Sequence, residues 1–253
     1  MNVPIFTDLA GKIALVTGST RGIGAGLANA LEDAGMRVLR HGTGAHPEGL
    51  ADKETIYADL SDSAGCESLA NAVRAKTEVL DLLVNNAGFE APNRLENLDQ
   101  SALARTLNVN LAASLLLTQA LLPLLRRASA PSVINITSIH DAVPYAGNVA
   151  YVASKAALEA ATRTMALELA PQRIRVNSIA PGAIETDMNR EVIEQMGREN
   201  FNDWIPLGRV GVPADLAAPL LFLASSCSSY LTGTRLLVDG GYSLALLRYG
   251  LSQ

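Results

Sequence analysis

The sequence predicts an α/β fold in which seven parallel strands form one sheet between two layers of helices. Three observations predict it: short apolar runs alternate with helix-length segments, the runs are apolar on both faces, and polar motifs follow the runs directly. Strands buried on both faces are typical of parallel sheets covered by helices on each side. Because ligands of such sheets bind beyond the carboxyl ends of the strands, the expected architecture is doubly wound and Rossmann-type.

The elements follow in order along the chain. Strands are predicted over residues 13–16, 37–41, 55–57, 80–85, 133–137, 174–179 and 235–238. Helices are predicted over residues 22–33, 63–77, 101–125, 150–169 and 214–225. Residues 183–212 fit no strand and have Gly182 and Gly211 at their ends, so we interpret them as a substrate flap. No Pro/Gly/Ser-rich linker divides the chain, and residues 1–253 are expected to form a single domain.

Composition limits the classes of partner. The chain carries 20 Lys and Arg against 25 Asp and Glu, so a basic surface for nucleic acid or an anionic membrane is not expected. The first eight residues lack the basic and apolar regions of a secretion signal. The apolar stretch 111–125 is interrupted by Ser114 and Pro123 and is too short to span a bilayer. We therefore expect a cytoplasmic protein that acts on a small molecule.

The two cysteines give no sign of a disulfide or a metal site. Cys66 and Cys227 are far apart in the chain, and neither stands in a CxxC or Cys/His pattern. We interpret both as reduced packing residues, and no bound metal is expected.

Three residues indicate proton transfer. Tyr151 and Lys155 stand four positions apart on a predicted helix, and Ser138 follows the preceding strand. Residues i and i+4 share a helix face, so the Lys155 ammonium is expected beside the Tyr151 phenol, where it favours the phenolate. A phenol with a pKa of about 10 needs a drop of roughly two to three units, about 3–4 kcal/mol, to act as a base near neutral pH.

A glycine-rich turn follows the first strand. In T-G-S-T-R-G-I-G, Gly18, Gly22 and Gly24 open the first helix, so backbone N–H groups and the helix N-terminus can face a pyrophosphate. The spacing alone is a moderate signal, but its place between a strand and a helix favours a dinucleotide site. Together with Tyr151 and Lys155, this turn predicts a redox enzyme.

The end of the second strand bears on the choice between NADP and NAD. An acidic side chain there holds the ribose 2′-hydroxyl of NAD and repels a 2′-phosphate, but this sequence has Gly42 at that point. No carboxylate occurs from residue 37 to 47, whereas Arg40 and Arg21 are candidates to contact a phosphate. We therefore predict NADP as the preferred cofactor, with NAD as the alternative. After the third strand, Asp59 is expected to accept a hydrogen bond from adenine, while capping of the helix at Ser63 competes as a role for this loop.

These motifs resemble the short-chain dehydrogenase/reductase family, whose members carry TGxxxGxG, NNAG, Ser, YxxxK and PG in this order. The resemblance runs from about Lys12 to Gly241. It implies that Ser138 hydrogen-bonds the substrate oxygen, that Tyr151 and Lys155 move the proton, and that the main chain at Asn110 holds a water on the proton path. It also implies a homotetramer built on the two long helices, which agrees with the excess of leucines over residues 111–125.

The resemblance likewise implies a set of residues that line the dinucleotide site. Asn86, Ala87 and Gly88 belong to its adenosine-ribose and phosphate side, and Ile184 and Thr186 to the nicotinamide carboxamide. The complete expected set is Gly18, Thr20, Arg21, Gly22, Ile23, Gly24, Arg40, Asp59, Leu60, Asn86, Ala87, Gly88, Tyr151, Lys155, Pro181, Gly182, Ile184 and Thr186.

Within the family, N-N-A-G-F-E-A-P, S-I-H-D and P-G-A-I-E-T resemble glucose and related aldose 1-dehydrogenases. Glu90 offers a carboxylate to sugar hydroxyls, and His140 is expected to orient the ring beside Ser138 and Tyr151. Glu90 as a solvated loop charge and His140 as a residue that only supports the site remain the alternatives.

Three functions therefore stay open. The first is an aldose 1-dehydrogenase that oxidises a cyclic hemiacetal to a lactone. The second is a carbonyl reductase that acts on a 3-oxoacyl thioester or a small diketone; a carrier-bound substrate needs basic residues near the cleft, and Arg126 and Arg127 form the one clustered pair. The third is a dinucleotide-sensing protein without catalysis, which loss of a catalytic residue would favour, and no such residue is lost.

Overall fold

The computed structural model describes residues 6–44, 54–186, 190–195 and 197–245. Seven strands form one sheet in the order β3-β2-β1-β4-β5-β6-β7, and every neighbouring pair is parallel. The strands are β1 Ile13–Val16, β2 Arg37–Gly42, β3 Thr55–Tyr57, β4 Leu82–Asn85, β5 Ser132–Ile136, β6 Arg175–Pro181 and β7 Arg235–Val238. The predicted doubly wound, Rossmann-type fold is confirmed.

Eight α-helices connect and cover the strands within the described residues. They are α1 Gly22–Asp33, α2 Ser63–Lys76, α3 Gln100–Leu107, α4 Ala113–Leu125, α5 Val149–Leu169, α6 Arg190–Gln195, α7 Arg198–Asp203 and α8 Ala217–Ala224. The single helix predicted over residues 101–125 is wrong in one respect, because a π-helical turn at Asn108–Ala112 separates α3 from α4. The helix predicted from residue 214 begins as a 3-10 turn at Pro213–Leu216.

Two apolar clusters cover the two faces of the sheet. On one face α2, α4 and α5 bury leucines such as Leu69, Leu117 and Leu121 against β1, β4 and β5. On the other face α1 and α8 bury Leu27, Leu220 and their neighbours. The stretch Gln100–Leu125 is long and apolar enough to cross a membrane by length and composition alone, with a mean hydropathy of 1.5. In this fold it packs on the sheet, which accounts for much of its apolar content.

The predicted flap at 183–212 contains α6 and α7 and closes on itself through a β-bridge between Ile184 and Gly211. Ile193, Ile205 and Val210 form a small core of their own within it. Residues 187–189 and 196 of the flap lie outside the described residues. That the segment acts as a flap stays a prediction.

The strand order places one cleft at a defined position. The chain runs from β1 outward to β2 and β3 on one side and to β4 and the remaining strands on the other. The loops after β1 and β4 therefore diverge, and ligands of doubly wound folds bind at such a point. The glycine-rich turn, N-N-A-G and Ser138 all follow strands at this edge of the sheet.

Candidate active site

A cleft of about 370 Å³ opens at the carboxyl ends of the strands and brings most of the predicted site residues together. The lining residues that the sequence predicted are Gly18, Thr20, Arg21, Gly22, Ile23, Gly24, Asp59, Leu60, Asn86, Ala87, Gly88, Glu90, Ser138, Tyr151, Lys155, Pro181, Gly182 and Thr186. Four predicted residues are not part of the lining: Arg40, Asn110, His140 and Ile184.

The glycine-rich turn is built for close backbone approach. Gly18 and Gly22 adopt positive φ angles of 63° and 56°, a conformation that side-chain-bearing residues rarely adopt. A Cβ at Gly24 would overlap the Gly18 carbonyl oxygen. Among the described residues, no side chain caps the N-terminus of α1. Its first N–H groups and the positive end of the helix therefore suit a phosphate, which is the fit that a dinucleotide requires.

The N-N-A-G segment is joined directly to this turn. The Asn86 side-chain amide donates to the Thr17 carbonyl oxygen at 2.9 Å and to the Gly18 carbonyl oxygen at 3.1 Å. The Thr17 hydroxyl accepts from the Asn86 and Ala87 backbone N–H groups at 2.9 Å each. Asn86 thus holds the two loops after β1 and β4 in register, so it shapes the cofactor cleft as well as lining it.

Arg40 does not face the cleft, which corrects the prediction that it meets a phosphate. Its side chain is fully buried and points to α1, where it donates to Glu32 at 3.0 Å and Asn29 at 2.6 Å. A third bond runs to the Ser19 carbonyl oxygen at 3.1 Å. After the exposed Arg37 both faces of β2 are buried, so the Arg40 side chain lies inside the protein and needs internal partners.

His41, the next residue, lies in the cleft wall and was not predicted. Its Nδ1 accepts from the Gly18 N–H at 3.1 Å, and its Nε2 lies 3.0 Å from the Ala58 carbonyl oxygen. These partners require a neutral ring with the proton on Nε2. Burial lowers the pKa of His41, which favours the same neutral form. His41 therefore fixes the start of the glycine-rich turn.

At the end of β2, the cleft is lined by uncharged residues and one arginine. Gly42 and Thr43 lie there, and the exposed Arg21 stands in the same cleft at the start of α1. Further along, Asp59 accepts from the Ser61 backbone N–H at 2.9 Å, a bond that lowers the pKa of its carboxyl. Helix α2 is capped by Asp62, which accepts from Gly65, so capping does not occupy Asp59.

Ser138, Tyr151 and Lys155 converge at the inner end of the cleft. The Ser138 side chain lies beside the Tyr151 phenol and lowers its pKa, and the Lys155 Nζ lies 5.8 Å from the centroid of the Tyr151 ring. Lys155 is buried and donates to the Ile136 carbonyl oxygen at 2.9 Å. The predicted shared face of α5 is therefore present, with the lysine ammonium anchored to the end of β5.

The protonation of this pair differs from the sequence-based expectation. The pKa of Tyr151 is raised to about 12, mainly by burial; the Ser138 side chain lowers it, and the charges of Glu90 and Asp141 contribute to raising it. Burial lowers the pKa of Lys155 to about 8, while the same two carboxylates oppose that shift. The prediction that the neighbouring ammonium brings the tyrosine pKa down is thus not met by the protein groups alone.

Asn110 sits in the π-helical turn and organises the site from behind. Its side chain accepts from the Phe89 N–H at 2.7 Å and donates to the Phe89 carbonyl oxygen at 3.0 Å and the Ser154 hydroxyl at 2.9 Å. It therefore joins the loop after β4 to α5, one residue before Lys155. Asn108 instead donates to the Ser61 carbonyl oxygen at 2.8 Å. The water relay at the Asn110 main chain stays a prediction.

Glu90 heads a polar cluster at the mouth of the cleft. One of its oxygens, Oε1, accepts from the Tyr145 hydroxyl at 2.8 Å and from the Asn148 amide at 2.5 Å. The Tyr145 hydroxyl also accepts from Asn148 at 2.8 Å. Glu90 is exposed, and two side-chain hydrogen bonds hold its Oε1; whether it serves sugar hydroxyls or is only a loop charge stays open.

His140 lies behind this cluster, outside the cleft. Its ring packs on Tyr145 with centroids 4.2 Å apart, and its Nδ1 lies 2.8 Å from the Val143 carbonyl oxygen. The expectation of direct contact with a sugar ring is not supported, because His140 is absent from the lining and acts on Tyr145.

The P-G segment closes the far side of the cleft. Pro181, Gly182 and Thr186 line it. A Cβ at Gly182 would lie 2.6 Å from the Asp239 Cβ, so this position requires glycine. Ile184 is buried and belongs to the apolar cluster of α1 and α8, so its predicted contact with the nicotinamide carboxamide stays a prediction.

Sequence reasoning missed several residues that the fold brings to the site. The missed residues of the cleft and of the cluster at its mouth are His41, Thr43, Phe89, Arg105, Val109, Ile136, Thr137, Tyr145 and Asn148. His41 and Thr43 stand next to Arg40 and Gly42, which the sequence analysis had singled out. The strand β2 ends one residue later than predicted, at Gly42, so the residues at its carboxyl end were misassigned. The contacts of Tyr145 and Asn148 with Glu90 span more than 50 residues of chain, and no local pattern indicates them.

Comparison with known proteins agrees with the motifs. A family model described as enoyl-(acyl carrier protein) reductase matches residues 18–243. The 3-oxoacyl-acyl-carrier-protein reductase of rhamnolipid biosynthesis from Pseudomonas aeruginosa is 38% identical, over 94% of this chain and 99% of the relative. The aldohexose dehydrogenase of Thermoplasma acidophilum superposes with a TM-score of 0.89 at 30% identity, over 98% of this chain and 99% of the other.

A third similar protein has been solved with its cofactor. The 3-oxoacyl (acyl-carrier-protein) reductase of Agrobacterium tumefaciens, with NADP bound, has a TM-score of 0.88 and 32% identity over 96% of this chain and 98% of the other. The relatives differ in substrate but share the reaction type of dehydrogenases and reductases. The chain belongs to the short-chain dehydrogenase/reductase family and is an NAD(P)-dependent oxidoreductase.

Proposed function

We propose that this oxidoreductase is an NADP-dependent aldose 1-dehydrogenase that oxidises the C1 hydroxyl of a cyclic sugar to a lactone. The observation that carries the substrate class is the cluster of Glu90, Tyr145 and Asn148 at the cleft mouth. Its second carboxylate oxygen, Oε2, is the acceptor we assign to sugar hydroxyls. A polyol uses such a fixed acceptor, because each of its hydroxyls must replace hydrogen bonds to water. An acyl chain has no donor to offer it.

The proposed chemistry follows from the residues at the inner end of the cleft. In the oxidative direction the Ser138 hydroxyl, next to Tyr151, donates to the reacting oxygen, and Tyr151 in its phenolate form accepts the hydroxyl proton as hydride leaves the carbon. Lys155, which donates to the Ile136 carbonyl oxygen, places a positive charge near Tyr151 that favours its phenolate form. When bound, the dinucleotide supplies the hydride acceptor. In the reductive direction Tyr151 returns the proton to the carbonyl oxygen.

The preference for NADP rests on charge at the adenosine end of the cleft. Arg21 is exposed there and is suited to a 2′-phosphate, with Thr43 as an uncharged neighbour. Among the described lining residues, the carboxylates are Asp59 and Glu90, and neither stands at the end of β2. The similar reductase from Agrobacterium tumefaciens binds NADP. NAD remains the second candidate.

Reduction of a 3-oxoacyl thioester is the second candidate function, and the similarity to two such reductases favours it. The position of Arg126 and Arg127 speaks against a carrier protein at the cleft of the same subunit. Both follow α4 just before β5, at the amino-terminal edge of the sheet, where Arg126 bonds Gln172 and Arg127 the Glu78 carbonyl oxygen. The cleft lies at the opposite edge.

A matched pair of variants separates the two candidates. Wild type, Glu90→Gln and the control Glu67→Gln, an exposed glutamate on α2, are assayed with D-glucose and other aldoses and with acetoacetyl-coenzyme A. Loss of one charged hydrogen bond is expected to raise KM for the aldose by roughly tenfold or more. KM for the thioester and all constants of Glu67→Gln stay within about threefold. Equal effects of Glu90→Gln on both substrates would remove the sugar proposal.

Tyr151→Phe tests the proton path. It is expected to abolish turnover with every substrate and to leave NADPH affinity within a few-fold, because the hydroxyl alone is lost. Substantial residual turnover would contradict the role of Tyr151.

We further propose a cytoplasmic homotetramer. Apolar side chains stand exposed on the two long helices, Leu116 on α4 and Val149 and Leu167 on α5, with Leu167 79% exposed. A second copy of the chain covering these helices would remove them from water. Sedimentation at micromolar concentration tests this, and a monomer at that concentration would contradict it.

A further inference from the structure

A buried ion pair lies beside the catalytic residues and has no part in the proposed chemistry. Arg235 of β7 holds both oxygens of Asp141, Nε to Oδ2 at 2.8 Å and Nη2 to Oδ1 at 2.6 Å. The Asp141 side chain is 1% exposed and that of Arg235 26% exposed. A two-pronged bond of this kind fixes direction as well as distance.

Asp141 belongs to the same tight turn as Ser138. The turn begins at Ser138, whose hydroxyl accepts from the His140 N–H at 3.1 Å. The Asp141 N–H then donates to the Ser138 carbonyl oxygen at 3.1 Å. A displacement of Asp141 would therefore also displace the backbone of Ser138, and with it the Ser138 hydroxyl. Arg235 connects this turn to β7 at the edge of the sheet.

Other charged and titratable groups also face this region, and they come from several different elements of the fold. Glu90 follows β4, and His140 and Tyr145 belong to the loop after β5. Lys155 and Glu159 project from α5, where Glu159 accepts from Ser178 at 2.5 Å and has Arg163 3.8 Å away. Asp239 follows β7 and acts on Arg235. Among these, Arg235 is the group that directly binds Asp141.

We propose that Arg235 is a positioning residue that fixes the Ser138 turn through Asp141 and shields Tyr151 from the negative charge of Asp141. The inference rests on the proton-transfer role proposed for Tyr151. The neighbouring carboxylate disfavours a phenolate by like-charge repulsion, and a guanidinium bound to it offsets that repulsion. The structure agrees with the direction of this effect on the Tyr151 pKa, since the charge of Asp141 raises the pKa of both Tyr151 and Lys155.

The two halves of the inference make different predictions for different variants. Arg235→Gln leaves the Asp141 charge uncompensated, so the pH midpoint of turnover moves upward by about half a unit or more. Asp141→Asn leaves Arg235 uncompensated and moves the midpoint downward. The double variant returns towards wild type. Arg235→Lys keeps the charge but not the two-pronged bond, so its midpoint stays and its kcat falls several-fold.

The experiment is the pH profile of kcat for D-glucose oxidation with NADP, or of acetoacetyl-coenzyme A reduction if that is the substrate turned over. Tyr151 transfers the proton in both reactions. Each variant is therefore expected to shift the pH midpoint of kcat in the same direction in either assay. Arg163→Gln is the control, because Arg163 reaches the region from solvent and does not touch Asp141; its midpoint stays at the wild-type value. NADPH fluorescence titration and thermal unfolding verify that each variant is folded.

Opposite shifts of the two single variants, with partial restoration in the double variant, support the inference. Unmoved midpoints in both single variants, with no restoration in the double variant, overturn the shielding of Tyr151, and a wild-type kcat in Arg235→Lys overturns the positioning of Ser138. Tyr151→Phe separates this failure from that of the proposed function. An inactive Tyr151→Phe with unmoved midpoints overturns the role of Arg235 alone, whereas an active one overturns the proton path and the inference with it.

Discussion

Two arginines near the glycine-rich turn have different positions in the structure, and replacing each one tests which of them contacts the cofactor. Arg21 is exposed in the cleft, whereas Arg40 is buried and bonded to Glu32, Asn29 and the Ser19 carbonyl oxygen. Replacement of Arg21 should therefore change cofactor choice, and replacement of Arg40 should change stability. Arg21→Gln and Arg40→Met are the matched variants, because each removes one guanidinium and keeps a long side chain.

The first variant is expected to change cofactor affinity, and the second the free energy of unfolding. A charged hydrogen bond to a phosphate contributes about 1.5–3 kcal/mol, and solvent exposure of Arg21 favours the lower end, so NADPH affinity should fall roughly 10- to 30-fold. NADH affinity should change less than threefold. In Arg40→Met, three hydrogen bonds are lost and Glu32, 21% exposed, keeps only part of its solvation. A loss of about 2–4 kcal/mol is expected, which lowers Tm by roughly 5–15 °C.

Fluorescence titration with NADPH and NADH measures both affinities without a substrate, and calorimetry measures Tm. Arg40→Met is expected to keep the wild-type NADPH/NADH ratio below its Tm, since Arg40 supports the glycine-rich turn for both nucleotides alike. A lost preference in Arg40→Met together with a retained preference in Arg21→Gln would refute the assignment of these two side chains.

Three further outcomes follow from the cleft. Gly24→Ala should weaken NADPH binding at least tenfold because its Cβ overlaps the Gly18 carbonyl oxygen, while Gly44→Ala, with nothing within 4 Å, should bind like wild type; equal affinities would contradict the cradle. Thr43→Asp should shift preference towards NADH more than tenfold by titration, and is a better test than Gly42→Asp, whose Cβ would lie 2.5 Å from Thr20; an unchanged ratio would place discrimination elsewhere. Burial lowers the pKa of His41 below 6.5, so the folded state binds fewer protons than the unfolded state, and Tm should fall as pH drops below about 6.5. His41→Gln should flatten that dependence, and an identical slope in both proteins would exclude His41 as its source.

Local patterns predicted the elements well because burial on both faces and helical spacing are written within short segments. The bounds of β1, β3, β7 and α1 are as predicted. The π-helical turn at Asn108–Ala112 was not predicted, since the segment contains neither Pro nor Gly and its helical spacing continues through it. Within the turn, Asn110 bonds Phe89 and Ser154, which come from other parts of the chain and leave no local signal.

The candidate site was predictable where a motif contains all its partners and less so where partners come from distant strands. Gly18, Gly22 and Gly24 meet within one turn, and the cleft contains them as expected. Arg40 was misplaced because sequence alone does not tell an inward from a cleft-facing side chain in a strand buried on both faces. The pairing of Asp141 with Arg235 was not predicted because the two residues are 94 positions apart and no local pattern joins them.

The pair of Tyr151 and Lys155 shows the difference between geometry and protonation. The i, i+4 spacing places the two groups on one helix face, as the 5.8 Å separation confirms. Burial acts on both charged forms at once, so it raises the pKa of the phenol to about 12 and lowers that of the ammonium to about 8. Carboxylates from other loops, Glu90 and Asp141, then favour the protonated form of each group. Because Tyr145 and Asn148 hold one of these carboxylates and Arg235 holds the other, the proton affinity of Tyr151 depends on side chains outside the Y-V-A-S-K motif as well as on burial.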